Sequence, residues 1–325
     1  MPHLSDWFRQ HLPKGKGTTL DEGSVCENPE PLHEASGLHP SMLLLEPWSG
    51  PKPSDCIMEW DGSLYVKECL RSDDQDQLSA SDFVSHTYPD ANEEMFEWVD
   101  LLESIRDSSG SFTFVELGAG YGRWSVRAFN AAKKFGITPS NVRLITVEAE
   151  PLHSRWLHGN FELNGVPPDA HSHFECAVSD WTGQGQFYIL PPGESDHHEQ
   201  ARTWYGQALV RADNRWEGAG TEIVTVRQLD EILSSLPEDT IIDLLDMDLQ
   251  GEDSRVLESS THTLSRVRKV HVGTDSVAEV ERIFRVMSSI GWKLVRRYLP
   301  LRTTNTAYGP IRFVDGVMTW TNPHL

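Results

Sequence analysis

The sequence predicts an α/β domain built on a mostly parallel, Rossmann-like sheet. Three observations predict it. From residue 112 onward, short β-rich runs alternate with helical runs. A glycine-rich segment, Gly118-Ala119-Gly120-Tyr121-Gly122, stands where the first β-rich run hands over to a helix. Acidic residues then recur at the ends of later runs, at Glu148, Asp180 and Asp248, where open α/β sheets gather their sites.

The elements follow in order. Residues 1 to about 55 are rich in Pro, Gly, Ser and charge. They read as an irregular arm with short helical pieces, one of them over residues 4–11. Residues 57–70 read as a hairpin around the turn-favouring pair Asp61-Gly62. The acidic run at 72–76 reads as a solvated loop. Residues 92–105 place Met95, Phe96, Val99 and Leu102 on one helical face. The expected division is therefore an arm with a short hairpin over residues 1–90 and one α/β domain over 91–325. Within that domain the spacing predicts parallel strands over 112–117, 142–149, 174–179, 241–249 and 267–274, with helices between them. Residues 184–189 read as an antiparallel neighbour of the third strand or an extension of it. Residues 292–299 and 311–320 read as two late strands. Residues 190–220 form a connection long enough to be a lid.

Composition narrows the function classes. The net charge of −21, from 49 acidic and 28 basic residues, repels phosphate backbones and argues against nucleic acid. No apolar run reaches the ~18 residues of a membrane span. The first residues lack the apolar core of a signal peptide, and the four cysteines form no paired motif. A reducing cytoplasm is the expected location, and assembly into a homo-oligomer stays open.

The glycine-rich turn is the most informative segment. Gly118 and Gly120 let a ligand approach the main chain. The pattern runs E-x-G-x-G-x-G, and Arg123 occupies the place of the third glycine in the dinucleotide fingerprint. An acid at Glu116 suits a ligand carrying an amino group, such as the methionyl end of S-adenosylmethionine. Glu148, at the tip of the second strand, suits a ribose diol. Asp180 and the backbone around Val178, at the third tip, face the place of an adenine. A tight β–α turn without a ligand, and a surface turn at Asp180, are the plain alternatives.

With these tips in place, the sequence resembles the FkbM family of class I methyltransferases. Carrying the resemblance are Val115-Glu116-Leu117-Gly118-Ala119-Gly120-Tyr121-Gly122-Arg123-Trp124, then Val147-Glu148-Ala149-Glu150-Pro151 and Ile242-Asp243-Leu244-Leu245-Asp246-Met247-Asp248-Leu249-Gln250-Gly251-Glu252. His271-Val272-Gly273-Thr274 and the tail Asp315-Gly316-Val317-Met318-Thr319-Trp320 extend it, so that it spans roughly residues 92–325. The resemblance implies a class I sheet with a reversed last strand. It also implies O-methylation of a small-molecule acceptor such as a sugar or secondary-metabolite hydroxyl. Asp275 stands where it leads one to expect a histidine.

Methyl transfer to an alcohol needs an aligned nucleophile and an acceptor for its proton. Strand alternation puts Asp246 and Asp248 on one side at the end of the fourth strand, with His271 beside them on the fifth. Two routes stay open. Asp248 or His271 takes the proton, or Asp246, Asp248 and Glu252 hold Mg²⁺. The expected cofactor contacts are Glu116, Gly118, Ala119, Gly120, Tyr121, Glu148, Ala149, Val178 and Asp180. Tyr121, Trp124, Trp181, Trp204 and Tyr205 are candidate aromatic partners of a sulfonium. The pair His197-His198 lacks a third ligand at metal spacing. Two rivals remain: an NAD-dependent oxidoreductase, disfavoured by Arg123 and Glu116, and a non-catalytic scaffold that kept the fold.

Overall fold

A computed structural model describes residues 25–26, 30–33, 36–69, 83–193, 199–212 and 214–325. The helical piece expected at 4–11, the acidic run at 72–76 and His197-His198 lie outside them. The strands of the α/β domain are β1 (Phe112–Leu117), β2 (Val142–Glu148), β3 (His171–Glu175), β4 (Ala177–Val178), β5 (Gly183–Leu190), β6 (Gly220–Arg227), β7 (Leu244–Met247), β8 (Lys269–Thr274), β9 (Lys293–Tyr298), β10 (Arg302–Thr306), β11 (Gly309–Phe313) and β12 (Gly316–Thr321). Its longer helices are α1 (Glu94–Asp107), α2 (Arg123–Lys134), α3 (Pro151–Leu163), α4 (Asp253–Ser259) and α5 (Val277–Ser289).

The main sheet runs in the order Val25–Cys26, β9, β12, β8, β7, β1, β2, β3. Pairing is parallel from β8 through β7, β1 and β2 to β3. The last strand, β12, is antiparallel to both β8 and β9, as expected. All six residues of β1 are buried, because helices cover both faces of a parallel sheet.

The pleat sorts the core into two layers. Phe112, Phe114 and Leu244 join the aromatic cluster under α1, α2 and α3. Val115, Leu117, Leu245 and Met247 join the aliphatic cluster under α4 and α5. Glu116 and Asp246 share the parity of the first set, and that parity decides where their side chains go.

Three expectations are corrected. The third strand is not continuous over 174–179. β3 ends at Glu175, and β4 leaves the main sheet to pair with β6. Residues 184–189 belong to β5, which pairs antiparallel with β6 in a separate three-stranded sheet. The run 311–320 is broken at residues 314–315 into β11 and β12, and the unforeseen β10 pairs with β11.

The hairpin of the arm is present as Cys56–Met58 against Leu64–Val66. It is bound into the domain rather than appended to it. Asn160 of α3 and Asn164 just past its end accept the N–H groups of Val66 (2.8 Å) and Leu64 (3.0 Å). Trp60 and Tyr65 sit in the same core cluster as α1 and α2. At the turn, Glu59 accepts from Nε of both Arg123 and Arg127 at 2.7 Å. Arg123, the residue in place of a third glycine, thus anchors the arm. No helix among the described residues is long and apolar enough to cross a membrane.

Candidate active site

A cleft of about 420 Å³ opens at the carboxyl ends of β1, β2, β4 and β7. The floor is the glycine-rich turn. Gly118 has φ +81°, and a Cβ there would lie 2.1 Å from the carbonyl oxygen of Asp248. Only a residue without a side chain admits that approach. The N–H groups of Gly118 and Ala119 both donate to the carbonyl of Val147, at 3.0 and 2.9 Å, which folds the turn over the end of β2.

Glu148 lines the cleft and is buried. Its two oxygens accept the backbone N–H groups of Gly120 and Glu150, each at 2.7 Å. Burial nevertheless pushes its carboxyl above the usual range. A carboxylate has about four acceptor sites, so a diol still finds lone pairs here. Glu150 caps α3 by accepting from the His153 N–H at 2.8 Å and is paired with Arg202.

The opposite wall is apolar, with Ala149, Cys176, Ala177, Val178, Phe187 and Leu209. The described part of the following connection, residues 199–212 and 214–219, adjoins it. Tyr205, Gly206, Gln207 and Trp216 line the cleft from above. Trp204 and Trp216 stack edge to face with centroids 5.4 Å apart, and Trp216 lies against Tyr188 at 4.4 Å. Arg202 on Glu150 and Arg211 on Glu252 clamp this segment to the domain. Of the candidate aromatics, Tyr205 reaches the cleft wall. Tyr121 packs edge-on behind it at 6.3 Å, Trp124 lies over Arg127, and Trp181 packs on Gly183.

The far end of the cleft is acidic. Asp248 stands one residue beyond β7 and faces the opening, with Oδ1 accepting from Gln250 Nε2 at 2.6 Å. Asp275 and Asp315 line the same end. Burial first, then Glu279 and Asp248, push the Asp275 carboxyl up to about 6. Its buried Oδ1 has no hydrogen-bond partner among the described residues. Neither residue was singled out for the site from sequence. Asp275 follows the tip of β8 as Asp248 follows the tip of β7, and that shared position is the signal that could have found it.

Several expected site residues lie elsewhere. Glu116 is buried beneath the turn, off the cleft wall. It accepts from the N–H groups of Trp124 (3.3 Å) and Ser125 (2.9 Å) and from the Ser125 hydroxyl, so it caps α2. Burial, then the nearby Asp246, push its carboxyl up to about 8. Ala119 and Tyr121 are part of the turn but not of the wall, and Asp180 lies 3.5 Å from Arg211 at the surface. Asp246 and His271 are buried on the α1 side of the sheet rather than in the cleft. Glu252 gives its oxygens to Arg211 (2.7 Å to Nε) and to the Ser179 hydroxyl (2.6 Å). The trio Asp246, Asp248 and Glu252 is therefore not assembled as a metal site. The pleat turns Asp246 toward α1, the chain past β7 turns Asp248 outward, and an arginine occupies Glu252.

Comparison with known proteins places these features. A family model described as the methyltransferase FkbM domain matches residues 117–288. A protein of Jannaschia sp. (strain CCS1), whose given name assigns it to the methyltransferases, is 27% identical over 237 residues, covering 70% of this chain and 79% of that one. Similar solved structures include methyltransferase FkbM from Methylobacillus flagellatus KT, with 12% identity and a TM-score of 0.42, covering 72% of this chain and 56% of that one. They also include the O-methyltransferase from Bacillus cereus in complex with SAH, with 11% identity and a TM-score of 0.38, covering 72% and 83%. The chain spans just over half the length of the Methylobacillus protein. The family match covers more than half of this sequence, and the chain belongs to the FkbM methyltransferase family.

Proposed function

We propose that this protein transfers the methyl group of S-adenosylmethionine to a hydroxyl of a small-molecule acceptor, a sugar or secondary metabolite. One observation carries the reading. The glycine turn, a buried carboxylate at the tip of β2 and an acidic group past β7 face one cleft. In this reading Glu148 accepts the ribose hydroxyls and Ala177, Val178, Phe187 and Leu209 enclose the adenine. The backbone of Gly118 and Gly120 lets the carboxypropyl chain lie close to the turn. The cofactor, when bound, supplies an electrophilic methyl group on a sulfonium.

The chain's own residues do the rest. The segment carrying Trp204, Tyr205 and Trp216 covers the cleft and keeps water from the transfer step. In this reading Asp248 takes the hydroxyl proton as the oxygen attacks in line. The negative charge of the whole chain disfavours a nucleic-acid acceptor. The experiment is incubation with methyl-labelled S-adenosylmethionine and pooled metabolites, followed by mass spectrometry. The expected product carries the mass of one added methylene and the label on oxygen. Label on nitrogen or carbon would overturn the O-methylation, and label in a methyl ester would replace the hydroxyl acceptor by a carboxylate. Asp248→Asn is expected to lower turnover by roughly 10²–10⁴-fold with cofactor affinity unchanged.

A further inference from the structure

Behind the cleft, three elements converge on a polar cluster in which Asp246 and His271 are buried and Glu97 is partly exposed. Glu97 comes from α1, Asp246 from β7 and His271 from β8, and Asp246 and His271 are direct register partners. Each side chain offers one ligand atom, and these atoms all lie within 4.8 Å of one another. Asp246 is 6% exposed and His271 3%.

Charge makes the cluster unusual. The cations around it are already committed elsewhere. Arg296 pairs with Asp100 at 2.5 Å and Glu30 at 2.8 Å, and Lys269 pairs with Glu103 at 2.9 Å. Arg127 pairs with Glu59 and Glu94. No N–H group or basic side chain among the described residues bonds to the carboxylates of Glu97 or Asp246. Asp246 is buried and Glu97 partly buried, and two adjacent carboxyl groups with no bonded cation share a proton or take up a metal ion.

The histidine favours the cation. Its Nδ1 is bonded to Asp100 at 2.7 Å. Asp100 is itself held by Arg296 and by the Thr319 hydroxyl at 2.5 Å. A carboxylate on one ring nitrogen orients the imidazole and raises the basicity of the other, the arrangement found behind metal-ligating histidines. Nε2 is the ring nitrogen that Asp100 does not engage. Metal bonds of about 2.1 Å place ligand atoms roughly 3–4.2 Å apart, within reach of a small side-chain rotation here.

We infer that Glu97, Asp246 and His271 form a site for a first-row divalent cation of the Mn²⁺, Fe²⁺, Co²⁺ or Zn²⁺ class. One nitrogen and two carboxylates suit these ions better than Ca²⁺. Three protein ligands leave positions for water. Because the ligands come from α1, β7 and β8, the ion ties the helix to the strands that end at the acidic side of the cleft. The inference is independent of the acceptor and of the cofactor.

The test uses tag-free full chain, stripped with chelator and titrated with Co²⁺, Mn²⁺, Zn²⁺ and Mg²⁺. The expected result is one equivalent of Co²⁺ or Zn²⁺ bound, a Co²⁺ visible spectrum with nitrogen and oxygen ligands, a raised melting temperature, and weaker Mg²⁺ binding. Glu97→Gln keeps the side-chain shape and should weaken binding at least tenfold, as should Asp246→Asn. No stoichiometric uptake by the wild type would overturn the inference and leave a shared proton in the cluster. Equal uptake by Glu97→Gln would also overturn it, placing the ion elsewhere.

Discussion

The Cα of Gly118 lies so close to the carbonyl oxygen of Asp248 that a Cβ on it would stand 2.1 Å away. The turn proposed to receive the cofactor and the strand end proposed to face the acceptor are thus set against each other by one missing side chain. Gly118→Ala adds a clash at φ +81°. It is expected to cost about 2–4 kcal/mol of stability, or to displace the turn and abolish cofactor binding. Urea unfolding and calorimetry together check this, and an unchanged midpoint with unchanged affinity contradicts it.

Glu148 serves the turn and the proposed ribose at once. Glu148→Ala removes the acceptor of two backbone N–H groups as well as the partner of the diol. Cofactor binding is expected to weaken by about 1–3 kcal/mol, read by calorimetry on protein whose folding is verified by circular dichroism. An unaltered affinity would remove Glu148 from the site.

Arg127 joins the arm to the domain. Its side chain is 1% exposed, between Glu59 and Glu94. Truncation removes one of the two cations shared by these carboxylates, Arg123 staying paired with each, and empties a buried side-chain position. Arg127→Ala is expected to destabilise the fold by about 2–4 kcal/mol. A loss below about 1 kcal/mol in urea unfolding, the range of exposed ion pairs, would show that the arm is held by other contacts.

Stability should depend on pH in a stated direction. Burial pushes Glu116 up to about 8 and Glu93 up to about 7, and each is more stable protonated in the fold. Their contribution is complete below the ordinary carboxylate range and is lost as pH rises through 7 and 8. Glu59 behaves oppositely. Burial raises it, but Arg123 and Arg127 outweigh that and hold it at about 2, so its contribution is lost as pH falls from about 4 toward 2. The melting temperature is therefore expected to peak between about pH 4.5 and 6 and to fall toward pH 8.5. Glu116→Gln should flatten the alkaline fall, and a melting temperature rising from pH 6 to 8.5 would contradict the assignment.

The alternation of β-rich and helical runs was enough to read a mostly parallel sheet and its main strands along the chain, because each buried strand is a short apolar block with glycine or acid at its end. Glu148 and Asp248 were legible for the same reason: both stand at strand ends. The direction of Glu116 was not. Every position of β1 is buried, so hydrophobic alternation carries no information about which face a residue takes. Asp246 failed through register, since the strand ends at Met247 and the pleat does not carry on to Asp248. Asp100 was invisible for a third reason. A charged residue in an amphipathic helix reads as solvent-facing, and the partner that makes its burial tolerable, Arg296, is 196 positions away in sequence.

The most direct test of the account is calorimetric titration of the full chain with S-adenosylhomocysteine and, separately, with NADH. S-adenosylhomocysteine should bind with one-to-one stoichiometry, and Glu148→Ala should weaken it, while NADH should give no heat beyond dilution. Binding of NADH with none of S-adenosylhomocysteine would contradict the central claim.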